Sequence, residues 1–184
     1  MKYFLLLPLI FASFNTWSDS PNLSRRFGIS LAAGKNKPFT GNDFDDRADG
    51  EFVFGLYGRY QFNQESGIQL GYTRYEWTHS PTAARIYDLV YLHRLKARKW
   101  FTPIWGVGAG LVDIANYNVD ENLKLGLKAR VGVEFMLSSN MIVDAVIDYQ
   151  FVNKMVGEDD NLTIGEIHAL APQLILTYFF GSGE

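Results

Sequence analysis

The chain has 184 residues and a formal net charge of −3, with 47% hydrophobic and 15% aromatic residues. This length favours a single domain, and the acidic balance argues against a nucleic-acid-binding protein, which normally carries a basic surface. Cysteine is absent, which excludes disulfides and thiolate chemistry and is compatible with an oxidising periplasm. The sequence contains no apolar run long enough for a membrane helix.

The N-terminus has the order of a secretory signal peptide. Lys2 forms a short basic region, the apolar run from Tyr3 to Phe14 follows, and then come polar residues. Thr16 and Ser18 are small enough for positions −3 and −1 of a cleavage site, which places cleavage after Ser18. We therefore predict a signal peptide over residues 1–18 and a single mature domain over residues 19–184.

The rest of the chain alternates between apolar and polar or small residues, which is the period of a β-strand. The predicted strands, in chain order, are Arg26–Gly34, Glu51–Phe62, Ile68–Trp77, Arg85–Leu95, Phe101–Val112, Leu123–Phe135, Met141–Phe151 and Ile164–Phe180. Pro172 lies inside the last of them and cannot donate a ladder hydrogen bond. We expect a bulge there, which could switch the parity of the residues before it.

The sixth segment, from Leu123 to Phe135, alternates without a fault. At about 3.3 Å per residue it reaches roughly 40 Å, which is longer than an ordinary globular strand. When tilted by about 45°, such a strand crosses the ~30 Å hydrocarbon core of a bilayer. The segment therefore predicts a transmembrane strand with lipid on its apolar face.

The connections alternate in length, since those after the second, fourth and sixth segments are short and the others are longer and more polar. This arrangement predicts an all-β fold, an eight-stranded antiparallel up-and-down transmembrane β-barrel. In such barrels the short turns are periplasmic, so both termini are expected in the periplasm. Aromatic residues near both ends of the strands are typical of the two aromatic girdles of these proteins.

Two runs carry a resemblance to a known family, namely the glycine-alternating run from Ile104 to Gly110 and the terminal pattern Leu174, Leu176, Tyr178, Phe180. With them the chain resembles the small eight-stranded outer-membrane barrels of Gram-negative bacteria, of the OmpA transmembrane-domain, OmpX and opacity-protein kind. The resemblance implies that the barrel-assembly machinery reads the last strand. Gly181 to Glu184 follow its final aromatic residue, which departs from the family pattern.

Strand parity places nine charged side chains inside the barrel. Because unpaired buried charges are costly, we predict a lumen ion-pair network of Arg59, Asp88, Arg94, Lys124, Lys128, Arg130, Glu134, Asp144 and Asp148. An eight-stranded barrel is just wide enough to be filled by its own side chains. A solid polar core is therefore favoured over a large pore, with a narrow gated ion channel as an alternative.

The first and last long connections are acidic. They carry Asp43, Asp45, Asp46, Asp49, Glu158, Asp159 and Asp160. Their spacing lacks the pattern of a calcium-binding loop, so a solvated acidic surface is the favoured interpretation. Divalent-bridged contact with lipopolysaccharide, or adhesion, remains open.

An enzyme is the main alternative class, because some barrels of this size modify lipid A. Such a deacylase needs a serine activated by a histidine that a carboxylate holds. His168 and Glu166 would share a face near the outer rim without a serine on their strand, while His79 and His93 are expected at the rims. No catalytic, cofactor-binding or metal-binding residue is therefore predicted.

The sequence thus predicts a monomeric outer-membrane protein, not an enzyme, with a structural or adhesion-like surface role. The expected partners are outer-membrane lipid and lipopolysaccharide, the barrel-assembly machinery during biogenesis, and a host or surface ligand at the connections. No nucleic acid is expected. The alternatives are a lipid A-modifying deacylase or acyltransferase, a narrow gated ion channel, and a soluble secreted β-sandwich or lipid-binding barrel.

Overall fold

The structure is a computed structural model that describes residues 22–40, 49–78, 83–96, 101–115, 123–152, 155–156, 163–164 and 166–181. These residues form the strands β1 (Arg26–Lys35), β2 (Lys37–Thr40), β3 (Asp49–Gln61), β4 (Ser66–Thr78), β5 (Ala83–Arg94), β6 (Thr102–Ala115), β7 (Leu123–Ser138), β8 (Met141–Val152), β9 (Met155–Val156), β10 (Thr163–Ile164) and β11 (Ile167–Phe179). Within them there is no helix of the length and apolarity that crossing a membrane requires.

Eight long strands close into a barrel. Their order around the wall is β1, β3, β4, β5, β6, β7, β8 and β11, and β11 pairs with β1 to complete the circle. All neighbouring pairs in this wall are antiparallel. The predicted fold class, an eight-stranded antiparallel up-and-down transmembrane barrel, is confirmed. Because the barrel is closed, every wall strand is hydrogen-bonded to a neighbouring strand on both sides.

The two ends of the barrel differ. At the turn end, β3 and β4 are joined by residues 62–65 and β7 and β8 by residues 139–140. The described ends of the chain also meet there, since the Phe180 amide donates a hydrogen bond to the Phe27 carbonyl at 2.8 Å. The longer connections leave from the opposite end, which we call the loop end.

Apolar side chains cover the outside of the barrel. On β7 the outward residues Leu125 and Val131 are 62% and 60% exposed, whereas the inward residues Lys128 and Arg130 are 3% and 1% exposed. A soluble protein would place these side chains the other way round. The inversion is what a lipid solvent requires of a closed barrel.

The prediction for Pro172 is wrong. β11 pairs with β8 along its whole length without a register shift, and buried and exposed residues alternate through the proline. The other neighbour carries the interruption, because pairing stops at Gly34 and Gln173 and resumes at Lys37 and Leu170. The gap between β1 and β2 accommodates the missing N–H, and since no residue is inserted opposite Pro172, the parity is unchanged.

Two predicted connections contain further strands. β2 continues the line of β1 into the first connection and pairs with β11. In the last connection β9 and β10 form a separate two-stranded sheet, so residue 164 belongs to this hairpin rather than to the eighth wall strand as predicted.

Two glycines make room for a tyrosine that fills the interior. Tyr57 is buried, and its hydroxyl lies 2.7 Å from the Thr73 hydroxyl. A Cβ on Gly55 would lie 2.8 Å from the Tyr57 ring, and one on Gly71 would collide with the Leu56 carbonyl and the same ring. Glycine at these positions therefore lets the ring cross the narrow lumen.

Gly71→Ala is expected to lower the free energy of unfolding by about 1–3 kcal/mol, because the added methyl meets rigid backbone. Urea unfolding of protein refolded in lipid vesicles, followed by tryptophan fluorescence, measures the loss. Gly58→Ala is the matched control, since its Cβ would lie 3.3 Å from the tip of the Phe27 ring, a movable side chain. Equal losses in the two variants would contradict this account.

Candidate functional site: the charged interior

Four buried charges form a cluster near the turn end. Arg59 donates hydrogen bonds to Glu134 at 2.9 Å and to Asp144 at 2.8 Å. Arg94 donates to the other oxygen of Glu134 at 2.5 Å. Arg59 and Arg94 come from β3 and β5, so they reach across the lumen to β7 and β8 and tie opposite walls together.

A second cluster lies deeper in the barrel. Arg130 and Asp148 face each other in register on β7 and β8, and the guanidinium binds the carboxylate through two hydrogen bonds of 2.6 and 2.7 Å. Lys128 donates to Asp88 and lies 3.7 Å from Asp148. The bidentate contact between Arg130 and Asp148 is the strongest form of an arginine–carboxylate contact.

Charge balances within each cluster, since each holds two cations and two anions. The members are Arg59, Arg94, Glu134 and Asp144 in the first cluster and Asp88, Lys128, Arg130 and Asp148 in the second, all of them 3% exposed or less. Lys124, the ninth predicted member, is only half-buried. It lies near the loop end, opposite Val112 in the ladder.

The lumen is less polar than predicted. A cluster of buried apolar side chains fills the loop end of the interior, formed by Val53, Tyr75, Ala84, Ile86, Val112, Val152, Ile167 and Ala171. Leu23, Ile142 and Phe179 form another at the turn end. The ion pairs therefore lie between two apolar layers, which disfavours a water-filled path for ions and argues against the channel alternative.

Amides also support the deeper cluster, and the sequence interpretation missed them. Gln69 accepts a hydrogen bond from Arg130 at 2.5 Å, and Gln173 donates to Asp148 at 3.1 Å. The Arg130 guanidinium also lies 5.9 Å from the centre of the Tyr57 ring. The sequence signal for Gln69, Gln173 and Tyr57 was their inward position on their strands. That position does not reveal which charged group each side chain contacts.

Arg26 is a buried cation that the predicted network did not include. Its guanidinium donates to the carbonyls of Ser139 at 2.8 Å and Gly181 at 2.5 Å, and to the Asn140 side chain at 2.8 Å. It lies 5.9 Å from the centre of the Phe179 ring. Arg26 thus joins the first strand, the last strand and the β7–β8 turn where the barrel closes.

Several predicted features fall outside the described residues. They are the signal peptide, His79, and the acidic residues Asp43, Asp45, Asp46, Glu158, Asp159 and Asp160. The backbone at Asp49 begins β3. His93 lies near the turn end, with its ring centre 5.3 Å from that of Trp105.

Solved structures with the same architecture are known. Neisserial surface protein A matches with a TM-score of 0.68 at 16% identity, over 84% of this chain and 97% of that one. The N-terminal β-barrel domain of OprF from Pseudomonas aeruginosa gives 0.54 at 16% identity, over 83% and 97%. The outer membrane protein OprG from the same organism gives 0.53 at 14% identity, over 89% and 99%.

The chain has the fold of the small eight-stranded outer-membrane barrels. Identities this low establish the fold and not the activity. A comparison with protein-family models gave no match, and none of the curated proteins is significantly similar in sequence. The residues of this chain itself are therefore what bears on the function of this outer-membrane barrel fold.

The outer rim of the barrel at the loop end carries a second polar group, on the lipid-facing side. The Tyr149 hydroxyl lies 2.5 Å from Nδ1 of His168, and Nε2 of His168 lies 3.8 Å from Glu166. The Phe151 ring packs beside the imidazole, with the ring centres 5.1 Å apart. The predicted pairing of His168 with Glu166 is present, but a tyrosine stands where a deacylase of the predicted kind needs a serine.

Proposed function

We propose that this protein is an integral outer-membrane barrel, monomeric and non-enzymatic, with a structural or adhesion-like surface role. The observation that carries the proposal is the inversion of the barrel, which has an apolar wall outside and a balanced, sealed ion-pair network inside. As far as the described residues extend, the lumen is filled by its own side chains, and a hydrogen-bonded network of this kind stiffens the wall. A stiff barrel is a scaffold for the connections at its loop end.

In the proposed orientation the turn end and both termini face the periplasm and the loop end faces the cell surface. Short turns on one side and long connections on the other support this orientation. The signal peptide over residues 1–18 would bring the chain to the periplasm. There the barrel-assembly machinery would read β11 and the Phe180 that follows it, and the acidic connections would then meet lipopolysaccharide or a surface ligand.

Envelope fractionation followed by protease treatment of intact cells tests location and orientation together. The expected result is recovery in the outer-membrane fraction, with extraction that depends on detergent. External protease should produce fragments that end in the long connections and should leave the turns at residues 62–65 and 139–140 intact. Cleavage at those turns in intact cells would overturn the orientation, and folded protein that stays in plain buffer would overturn the membrane location.

The structural and surface roles predict different effects of two genetic changes. If the barrel stiffens the envelope, its deletion should increase the uptake of a hydrophobic dye, and a barrel with shortened connections should restore the barrier. If the connections bind a surface ligand, cells whose barrel has shortened connections should no longer bind to a surface that carries this ligand. Cells that show neither effect would contradict the proposal.

A lipid A-modifying enzyme is the second candidate, and the contact between Tyr149 and His168 beside Glu166 favours it. A hydroxyl that is hydrogen-bonded to an imidazole near a carboxylate is the arrangement of an activated nucleophile. Mass spectrometry of lipid A from cells with the wild-type protein, His168→Ala or no protein tests it. A change in acyl chains that requires His168 would establish the enzyme, and identical spectra would remove it.

A further inference from the structure

An open groove crosses the lipid-facing side of the barrel wall over β7, β8, β11 and β1. Its volume is about 550 Å³. The small residues Ala33 and Ala145 line it, together with the exposed side chains of Val131, Ile147 and Leu174. The ladder aligns Ala33, Leu174 and Ala145 in one row across three strands. The groove is therefore apolar and belongs to the surface that meets hydrocarbon.

The outward side of β1 becomes basic beyond the groove. Buried and exposed residues continue to alternate past Ala33, so Lys35 and Lys37 follow it on the outside of the wall, and both are exposed. Lys37 is opposite Leu170 on β11. At about 3.3 Å per residue, the two lysines lie about 7 and 13 Å beyond Ala33 along the strand. They are thus placed between the groove and the loop end.

The length of the first strand gives the depth of these lysines in a bilayer. At the turn end the Phe27 ring stacks on that of Phe180, with centres 6.2 Å apart, and aromatic residues mark the boundary between hydrocarbon and headgroups. On a strand tilted by about 40°, the rise from Phe27 to Lys35 is about 20 Å and to Lys37 about 25 Å. The apolar band of such barrels is about 25 Å tall, and lysine side chains extend their charged ends toward water. The ammonium groups are therefore expected at the headgroups of the loop-end leaflet, with the groove in the hydrocarbon beneath them.

A lipid fits this combination better than a second copy of the barrel. Two copies related by a twofold axis along the bilayer normal would place the lysine pairs of both copies at one edge of their interface, where like charges repel. An acyl chain instead fills the groove through van der Waals contacts, which drive packing within hydrocarbon. An anionic headgroup on the same molecule is attracted to the ammonium groups. Shape and charge therefore favour one class of ligand.

We propose that this groove binds a lipid of the loop-end leaflet, with an acyl chain beside Ala33 and Ala145 and a phosphate monoester of the headgroup at Lys35 and Lys37. A phosphate monoester carries about −1.5 to −2 charges at neutral pH, so one such group balances both ammonium groups. Because the chain and the phosphate belong to one molecule, the binding of one part raises the effective concentration of the other. The inference rests on the proposed membrane location and adds a bound lipid to it.

Native mass spectrometry of the refolded barrel with its connections intact, titrated with bisphosphorylated lipid A, tests the lysines. The double variant Lys35→Gln, Lys37→Gln should bind on the order of thirtyfold more weakly, since each lysine near anionic headgroups contributes about a factor of five. The control variant Arg25→Gln, Lys96→Gln removes the same charge from exposed positions at the turn end and should bind as the wild type does. Lipid A without phosphates should bind the wild type as weakly as bisphosphorylated lipid A binds the double variant.

The groove is tested separately from the charges. Ala145→Phe places a ring in the groove and keeps both lysines, and it should bind about fivefold more weakly because about ten carbon contacts with the chain are lost. Ala109→Phe adds the same ring to an exposed outward position on β6, between Leu89 and Leu127 in the ladder, and should bind as the wild type does. Millimolar inorganic phosphate should not displace the lipid, since it has no chain.

Several outcomes would overturn the site. They are equal binding by the wild type and the lysine double variant, an equal loss in its control, equal binding by Ala145→Phe and Ala109→Phe, or displacement of the lipid by inorganic phosphate. A dimer that Ala145→Phe disrupts would assign the groove to a second copy instead. Heat-modifiable gel mobility checks in parallel that each variant is folded. A folded, vesicle-inserted barrel without phosphate dependence refutes the site alone, whereas failure of the wild type to enter vesicles refutes the membrane location.

Discussion

Asp148→Asn is expected to lower the free energy of unfolding by about 3–5 kcal/mol, because it leaves the buried Arg130 guanidinium without its anion. Asp148 is 0% exposed and accepts two hydrogen bonds from Arg130 and one from Gln173, with Lys128 3.7 Å away. An asparagine keeps the shape of the side chain and removes its charge. The loss therefore reports the electrostatic role of the carboxylate.

Reversible urea unfolding in lipid vesicles measures this effect. The double variant Arg130→Met, Asp148→Leu should recover most of the loss, because it removes both charges and leaves Lys128 with Asp88. Glu65→Gln, on an exposed turn residue, should stay within about 0.5 kcal/mol of the wild type. A loss as small for Asp148→Asn as for Glu65→Gln would show that the deeper cluster does not hold the barrel together.

Val131→Arg is expected to lower the free energy of unfolding by about 2–4 kcal/mol, because it places a cation in the middle of the hydrocarbon. Val131 lies outward in the middle of β7, in the ladder between Trp105 and Ile147. Leu123→Arg changes an outward residue on the same strand at its loop end. It should lose only about 0–1 kcal/mol, because its depth is close to the headgroups.

The comparison separates a membrane barrel from a soluble one. Val131 and Leu123 are 60% and 54% exposed, so in water both arginines would be tolerated to a similar degree. The same vesicle unfolding experiment, with Val131→Leu as a control for the change in shape, measures the difference. Equal and small losses for the two arginine variants would refute the lipid-facing assignment of this wall.

Strand positions and faces were readable from the sequence because a period of two is a local property. The segment from Leu123 to Phe135 showed its outward and inward sides without any knowledge of its neighbours, and β7 has those sides. Parity also directed nine charged residues toward the lumen, and the structure buries eight of them there, whereas Lys124 is half-buried. The presence of eight strands and the closure of the barrel followed from counting such segments and the lengths of their connections.

Partners across the lumen depended on the tertiary structure, because strand register and barrel closure decide which side chains meet. Glu134 accepts hydrogen bonds from Arg59 and Arg94, which lie on strands that are not its neighbours in the wall. Alternation along one strand does not reveal which residues meet across the lumen. The sequence likewise did not show that the gap between β1 and β2 would accommodate Pro172. The sequence by itself determined which side of a regularly alternating strand such as β7 meets lipid, since that choice depends on residue polarity alone. Only the closed barrel decided the ion pairs and the apolar layers that enclose them, since those contacts join residues far apart in the chain.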